Sequence, residues 1–372
     1  MKKETKAIHS GQGIDPSSSA INSPIYMSTT FERHVDGTYP NEHVYSRYSN
    51  PNRLALEQCL TDLEGGLATA CFSSGSAAMM TLMQTLVPGD HVIAPDILYF
   101  GISELMKKIF APLGIEFDFI DMSDLVNIKK HTKSNTKLVI VETPSNPQIT
   151  LTDIEAVSVI AHEAGALLVV DNTIATPVFQ LPIKLGADMV IHATTKYIAG
   201  HSDVLGGAIV TATKNDRWEK IVYIQQMGGA VPSPFECWLA LRGIQTMTYR
   251  VQAMAASAMK IAHILSNHQA VEEILYPGLE SSPSHNLANK QMTGYGALMS
   301  ILVKGDDASA IAVSNKLQLI TRATSFGGTH SLIEHRASIE AEGSLTPKNL
   351  LRFSVGLEHV DDLIEDLLQA LG

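Results

Sequence analysis

From residue 46 to about 215 the apolar positions switch repeatedly between two periods. Residues 54–63 space their apolar side chains three and four apart, as one face of a helix does, and 68–72 form a short strand-like run. The alternation then continues. Helices are expected over 77–86 (closed by Pro88-Gly89), 102–110 and 153–163. Strands are expected over 91–94, 115–120, 137–141 and 166–171, with two more short runs at 187–192 and 207–211. Strands alternating with helices predict an α/β fold with a mostly parallel central sheet flanked by helices. The runs 138–141 and 166–170 are apolar throughout, as burial on both sheet faces requires.

The flanks differ. Residues 1–45 lack periodicity and read as an extended arm, which needs something to pack on, a neighbouring subunit for instance. Beyond 246 the pattern gives a long helix over 250–267, strands over 295–303 and 351–357, and an amphipathic helix over 360–371. The expected organisation is therefore an arm (1–45), a large domain (46–245) and a smaller C-terminal α+β domain (246–372). A chain of 372 residues is long enough for two cores. Residues 65–89 carry no charge and could span a bilayer by length. Ser73-Ser74-Gly75-Ser76, Gln84 and Pro88-Gly89 break the stretch, so it reads as a buried strand, a tight turn and a buried helix.

Composition narrows the function. A net charge of −11 argues against nucleic acid and against a basic membrane-surface helix. Cys59, Cys71 and Cys237 are few and scattered, with neither zinc spacing nor a disulfide framework. No metal site is expected, and a reducing, cytoplasmic compartment fits. The N-terminal MKKETKAIHSGQG has basic residues but no apolar stretch behind them, so no signal peptide is expected.

Candidate chemistry centres on Lys196, which follows the strand 187–192 after Ala193-Thr194-Thr195. Open α/β sheets bind ligands at the carboxyl ends of their strands. A lysine there is partly desolvated and can act as an amine nucleophile; by position alone it is also an ordinary surface lysine. Asp171 ends the strand 166–171. A carboxylate at one strand end and an amine at the end of a later strand are what pyridoxal 5′-phosphate needs, one for its pyridine nitrogen and one for its aldehyde. Asp171 could equally cap a turn. Between strand 68–72 and the next helix, Ser73-Ser74-Gly75-Ser76 offers a phosphate a close backbone and free helix amides. It matches neither GxxxxGK[ST] nor GxGxxG, which removes the nicotinamide-binding alternative.

At these residues the sequence resembles the Cys/Met-metabolism (trans-sulfuration) family of pyridoxal-phosphate enzymes. Tyr45-Ser46-Arg47-Tyr48-Ser49-Asn50-Pro51 is similar to the family's YSRxxNP and Glu142-Thr143-Pro144-Ser145-Asn146-Pro147 to its ETPxNP. Asp171-Asn172-Thr173, Thr195-Lys196-Tyr197 and Gly200-His201-Ser202-Asp203 follow in the family's order, and 351–358 is similar to LRxSVGLE. The resemblance implies a fold-type I, aspartate aminotransferase-like architecture in a homotetramer built of dimers, with active sites shared between subunits. It implies that Lys196 bonds the cofactor and shuttles protons, that Asp171 meets the pyridine nitrogen, and that Tyr99 stacks on the ring with Thr173 near it. Gly75, Ser76 and Thr195 would hold the phosphate, which Tyr45 and Arg47 would reach from the neighbouring subunit. Arg352 would bind the substrate α-carboxylate, with Asn146 and Ser325 assisting.

The implied activity is γ-replacement or γ-elimination on a sulfur amino acid or an O-acyl-homoserine, like that of cystathionine γ-synthase or γ-lyase. Cystathionine β-lyase, homoserine-ester sulfhydrylase and methionine γ-lyase are the alternatives within the family. A cofactor-binding regulatory paralogue with little turnover is the alternative of another class. Several residues depart from the family pattern. Ala193 stands where a phosphate-binding serine is usual, with Thr194 beside it, and Ser76 stands where methionine is usual. Gly101 replaces the cysteine of methionine γ-lyases. Val44, Glu104 and His330 replace residues by which cystathionine γ-lyases read the distal amino acid. Glu104 is expected to be a solvated helix residue, and His201-Ser202-Asp203 a turn. Arg352 lies in an apolar run, so a bound carboxylate or an internal acid has to meet it.

Overall fold

Asn50 accepts the Asn52 N–H and Pro51 fixes the first helical turn, so a helix starts where the YSR segment ends. The structure is a computed structural model describing residues 1–41, 43–340 and 344–372. Helix α1 is Lys3–His9 and α2 is Pro51–Glu64. Strand β1 (Ala68–Phe72), α3 (Gly75–Met83) and β2 (His91–Pro95) come next, so the uncharged stretch 65–89 is indeed strand, turn and helix. After α4 (Phe100–Leu105) the backbone loosens into a π-helical turn, Met106–Phe110, where a single continuous helix had been expected. Then follow β3 (Glu116–Ile120), α5 (Leu125–His131), β4 (Thr136–Glu142), α6 (Ile154–Glu163), β5 (Leu167–Asp171), α7 (Thr176–Phe179), β6 (Met189–His192) and β7 (Gly207–Thr211).

These seven strands form one sheet in the order β1-β7-β6-β5-β4-β2-β3. Only β7 runs antiparallel to its neighbours β1 and β6; the other pairs are parallel. The sheet is thus mixed but mostly parallel. Strands β2, β6 and β7 are buried along their whole length, as a sheet covered on both faces demands. The carboxyl ends of β1, β2, β4, β5 and β6 therefore share one edge.

Helices α8 (Asp216–Gly228), α9 (Pro234–Ile244) and α10 (Met247–Leu265) lead to a second sheet. It comprises β8 (Val271–Leu275), β9 (Leu298–Val303), β10 (Thr321–Arg322), β11 (Leu332–His335) and β12 (Leu350–Ser354), in the order β10-β11-β12-β9-β8. Helices α11 (His285–Gln291), α12 (Asp307–Lys316) and α13 (Val360–Leu371) complete the chain. The arm is less extended than its sequence suggests. Ala7 on α1 is buried, and the Lys6 ammonium donates to the Asp62 carbonyl at 2.7 Å, so its first turns pack on their own chain. Most of residues 13–35 are exposed. Among the described residues no helix is long and apolar enough to cross a membrane.

Candidate active site

Each strand end on the shared edge contributes to one cavity: Ser74, Gly75 and Ser76 after β1, Tyr99 after β2, Glu142 and Asn146 at β4, Asp171 and Thr173 at β5, and Thr195 and Lys196 after β6. The second sheet closes it with Ser325, Phe326, Arg336 and Arg352. Ten residues proposed from sequence thus line the same space. Tyr45 and Arg47 do not line it. Arg47 stacks on Tyr48, 4.7 Å from its ring centre, and donates to the Gln226 carbonyl, while Tyr45 is 40% exposed.

Lys196 projects its amine to the Ser325 hydroxyl at 2.8 Å and lies 4.9 Å from the Phe326 ring centre. Burial, followed by the Arg352 charge, brings its pKa down from 10.5 to about 8. A substantial fraction of the amine is therefore neutral, and nucleophilic, near neutral pH. Asp171 presents its carboxylate to the cavity and accepts the Thr173 N–H at 2.9 Å. Burial pushes its pKa up while the Thr173 hydrogen bonds, and then His192, hold it down, and no Lys or Arg pairs with it among the described residues. A half-buried carboxylate facing a cavity is stabilised by a positive partner, which a pyridinium N–H would supply. Glu142 lies opposite Asp171 across the β4–β5 ladder. Burial, and then the Asp171 charge, push it above the usual carboxylate range, against the Tyr99 and Asn146 N–H groups that donate to it at 3.2 and 2.8 Å. Sequence had quoted Glu142 within a motif without giving it a role.

The start of α3 makes an anion cradle. Ser74 accepts the Ala77 N–H at 3.0 Å, which leaves the first-turn amides of Gly75 and Ser76 for a ligand. A Cβ on Gly75 would stand 3.0 Å from the Ala193 Cβ, so the absence of a side chain lets the helix start close against β6. Ala193 lines the cavity without offering a hydroxyl. Thr194 is buried and faces elsewhere, so it does not replace one. Thr195 exchanges hydrogen bonds with Gly206 through its hydroxyl, and the Thr173 hydroxyl accepts the Ala193 N–H at 2.9 Å. Tyr99 is 47% exposed, and its ring lies over Gly101 so closely that a Cβ there would stand 2.8 Å from Cε1.

Arg352 is met by an internal acid. Its Nη2 contacts Glu334 at 2.7 Å and the Ser325 carbonyl at 3.0 Å, and its Nη1 donates to Asn146 at 3.2 Å. Glu334 and Arg336 were absent from the sequence-based set. Glu334 sits directly across from Arg352 on β11, and nothing in the sequence marked that strand. Glu104 pairs with Lys108 on the next turn and stays out of the cavity, as a solvated helix residue would. His330 is exposed. His201, Ser202 and Asp203 form an exposed bend with no hydrogen bond among them, so no triad exists there. No group of His, Cys, Asp and Glu among the described residues is placed to hold a metal ion, and the three cysteines are free and buried.

An amine, an unpaired carboxylate one strand away, an anion cradle and an aromatic ring around one cavity define a site for a phosphorylated pyridine aldehyde. The protein is thus a pyridoxal-phosphate enzyme by class, and the comparisons agree. The family model described as Cys/Met metabolism PLP-dependent enzyme matches residues 4–372. A cystathionine gamma-lyase of Bacillus subtilis is 42% identical over 379 residues, covering 100% of this chain and 99% of the relative. A cystathionine gamma-synthase of Mycobacterium bovis is 40% identical over 374 residues, covering 99% and 96%. The crystal structure of metB from Corynebacterium glutamicum superposes with a TM-score of 0.97 at 40% identity, over 100% of this chain and 98% of that one. The chain belongs to the Cys/Met-metabolism family of PLP-dependent enzymes.

Proposed function

We propose that this enzyme catalyses γ-replacement or γ-elimination on a sulfur amino acid or an O-acyl-homoserine, in the manner of a cystathionine γ-synthase or γ-lyase. The observation that carries the reading is the Lys196 amine. It shares one cavity with the Asp171 carboxylate and the Arg352 guanidinium, and burial brings its pKa down to about 8. Pyridoxal phosphate supplies an electrophilic aldehyde and a sink for electrons released at Cα. Asp171 would keep the ring nitrogen protonated, with Tyr99 and Thr173 beside the ring, and Gly75, Ser76 and Thr195 would hold the phosphate. Arg352, with Asn146 and Ser325, fixes the substrate carboxylate. Lys196 would take the Cα proton as general base, pass it to the carbon that comes from the cofactor's aldehyde, and so regain the neutral amine that a Cβ proton needs, with Tyr99 donating to the leaving group. Tyr45 and Arg47 lie outside the cavity of their own chain, which suits a role at the phosphate of an adjoining subunit in a homotetramer. Residues 1–45, 46–245 and 246–372 serve as arm, cofactor domain and C-terminal domain.

The substrate test is a panel: cystathionine alone, O-acetyl- and O-succinyl-homoserine each with cysteine, and methionine. Formation of a γ-thioether or of 2-oxobutanoate supports the reading. Pyruvate from cystathionine without 2-oxobutanoate would transfer it to β-elimination, and no product from any substrate would leave a cofactor-binding protein. Borohydride should fix the cofactor on Lys196, and a colourless preparation after pyridoxal phosphate is added would defeat the assignment of the lysine.

A further inference from the structure

Four charged side chains make an alternating row from the cavity into the C-terminal sheet. Arg352 contacts Glu334 at 2.7 Å; the same Glu334 oxygen meets Arg336 Nη1 at 3.0 Å; Arg336 Nε and Nη2 meet one oxygen of Glu340 at 3.0 and 2.8 Å. The other Glu340 oxygen accepts from the Ser344 and Thr346 hydroxyls. Both arginines are only 3% exposed, and both line the Lys196 cavity. Glu334 and Arg352 are direct cross-strand neighbours, which accounts for their contact. Nothing in the roles already proposed accounts for Arg336, a second buried guanidinium in the same site.

The donor inventory shows what it does. Two acceptors, Ser325 O and Glu334, occupy Arg352 Nη2, and Asn146 takes one hydrogen of Nη1. Nε and the other Nη1 hydrogen have no protein acceptor among the described residues and remain for an incoming carboxylate. If Glu334 belonged to Arg352 alone, the pair would be neutral and that carboxylate would gain little from it. Arg336 draws on the same oxygen, and Glu340 holds Arg336 in place from the far side. Burial and then the Arg336 charge bring Arg352 down to about 10, which fits two guanidiniums in one low-dielectric space.

We propose that Arg336 is a positioning residue for carboxylate recognition: by sharing Glu334 it leaves Arg352 with net positive charge toward the cavity. A bound substrate carboxylate then extends the row to five alternating charges. The inference rests on the reading of Arg352 as the carboxylate-binding residue and extends it to Arg336, which acts through Glu334.

The test uses the holoenzyme and butyrate, a carboxylate with neither amine nor leaving group. Binding is measured by calorimetry, alongside KM and kcat for whichever panel substrate turns over. Arg336→Gln should weaken butyrate and raise KM by about tenfold or more, the order expected for a charge-assisted contact, with kcat little changed. Adding Glu334→Gln to it should restore most of the loss, because the surplus acid is gone. Glu334→Gln alone, which carries the test if Arg336→Gln does not fold, should tighten butyrate. Native binding in Arg336→Gln, a loss that the second substitution does not relieve, or weaker butyrate binding in Glu334→Gln alone would each overturn the proposal. Arg352→Gln separates the two levels. If it leaves butyrate binding unchanged, the carboxylate role of Arg352 falls and the proposal with it; if it weakens binding while Arg336→Gln does not, only the proposal falls.

Discussion

The Lys196 amine gives the most direct quantitative check on the site. Its pKa is lowered from 10.5 to about 8 by burial first and by Arg352 second. At pH 7.4 about one-fifth of such an amine is neutral, against roughly one part in a thousand for a lysine at its ordinary value, a gain of roughly two hundredfold in nucleophile. The sign follows from the reactive form: only the neutral amine attacks, so reactivity climbs as pH rises through the folded pKa. Competitive labelling of the cofactor-stripped protein with a trace of acetic anhydride, mapped at the peptide level over about pH 6 to 11, reads this directly. Lys196 should show its midpoint near 8, well below the exposed lysines in the same sample. Arg352→Gln removes a neighbouring cation and should move the midpoint upward. A midpoint near 10.5, or a downward move in the variant, would refute the claim that desolvation and a guanidinium set this amine.

The remaining predictions concern the cofactor, the ring and the assembly. If Asp171 faces the pyridine nitrogen as proposed, Asp171→Asn removes that charge; turnover should fall by about a hundredfold or more, as when a preorganised electrostatic partner is lost, while borohydride still fixes the cofactor to Lys196. Gly101→Cys places a Cβ where Tyr99 Cε1 now lies 2.8 Å away, so the ring must move; stacking should change, read as a shifted visible absorbance of the bound cofactor and an altered kcat. If Arg47 serves an adjoining subunit, mixing unfolded and refolded Arg47→Ala and Lys196→Ala chains should regenerate about a quarter of the native sites, since a symmetric interface pairs each chain with its partner's residue. No recovery in a refolded oligomer would place Arg47 on its own chain's function.

How much of this could be read from sequence depended on how local the signal was. β1, β7 and α13 sit at their expected bounds because each is a clean periodic run with a clear break on either side. The helix expected at 77–86 begins two residues earlier, because Ser74 caps it, and stops at Met83. Helix α9 was missed although Ser233-Pro234-Phe235-Glu236 spells a readable start; the Ser233 and Glu236 side chains form the reciprocal cap. β11 has no such signal. It is four residues long, only Ile333 is buried, and its pairing with β12 is set by tertiary contact. Glu334 and Arg336 stayed invisible for that reason: their meaning lies in the cross-strand partner, which no linear spacing reveals.

That difference has a physical origin in how the two halves of the site are built. The cofactor half comes from strand ends that share one edge of a mostly parallel sheet, so the loop after each such strand brings its residues to the same edge, and candidates within 74–196 could be picked out in sequence. The carboxylate half comes from an antiparallel sheet, where neighbours in space are set by register. Ser325 joins the halves, accepting from Lys196 at its hydroxyl and from Arg352 at its carbonyl, at 2.8 and 3.0 Å. Its backbone, at a φ of 84°, lies in the left-handed region that a serine rarely adopts. A strained residue at the junction fits a demand that both groups face one substrate carbon, because a relaxed backbone there would turn one of its two oxygens away. The Lys196 amine and the Arg352 guanidinium are therefore registered through one residue, so under their proposed roles the geometry at Cα would be fixed before the choice between β- and γ-departure arises. That choice falls to the side-chain end of the substrate.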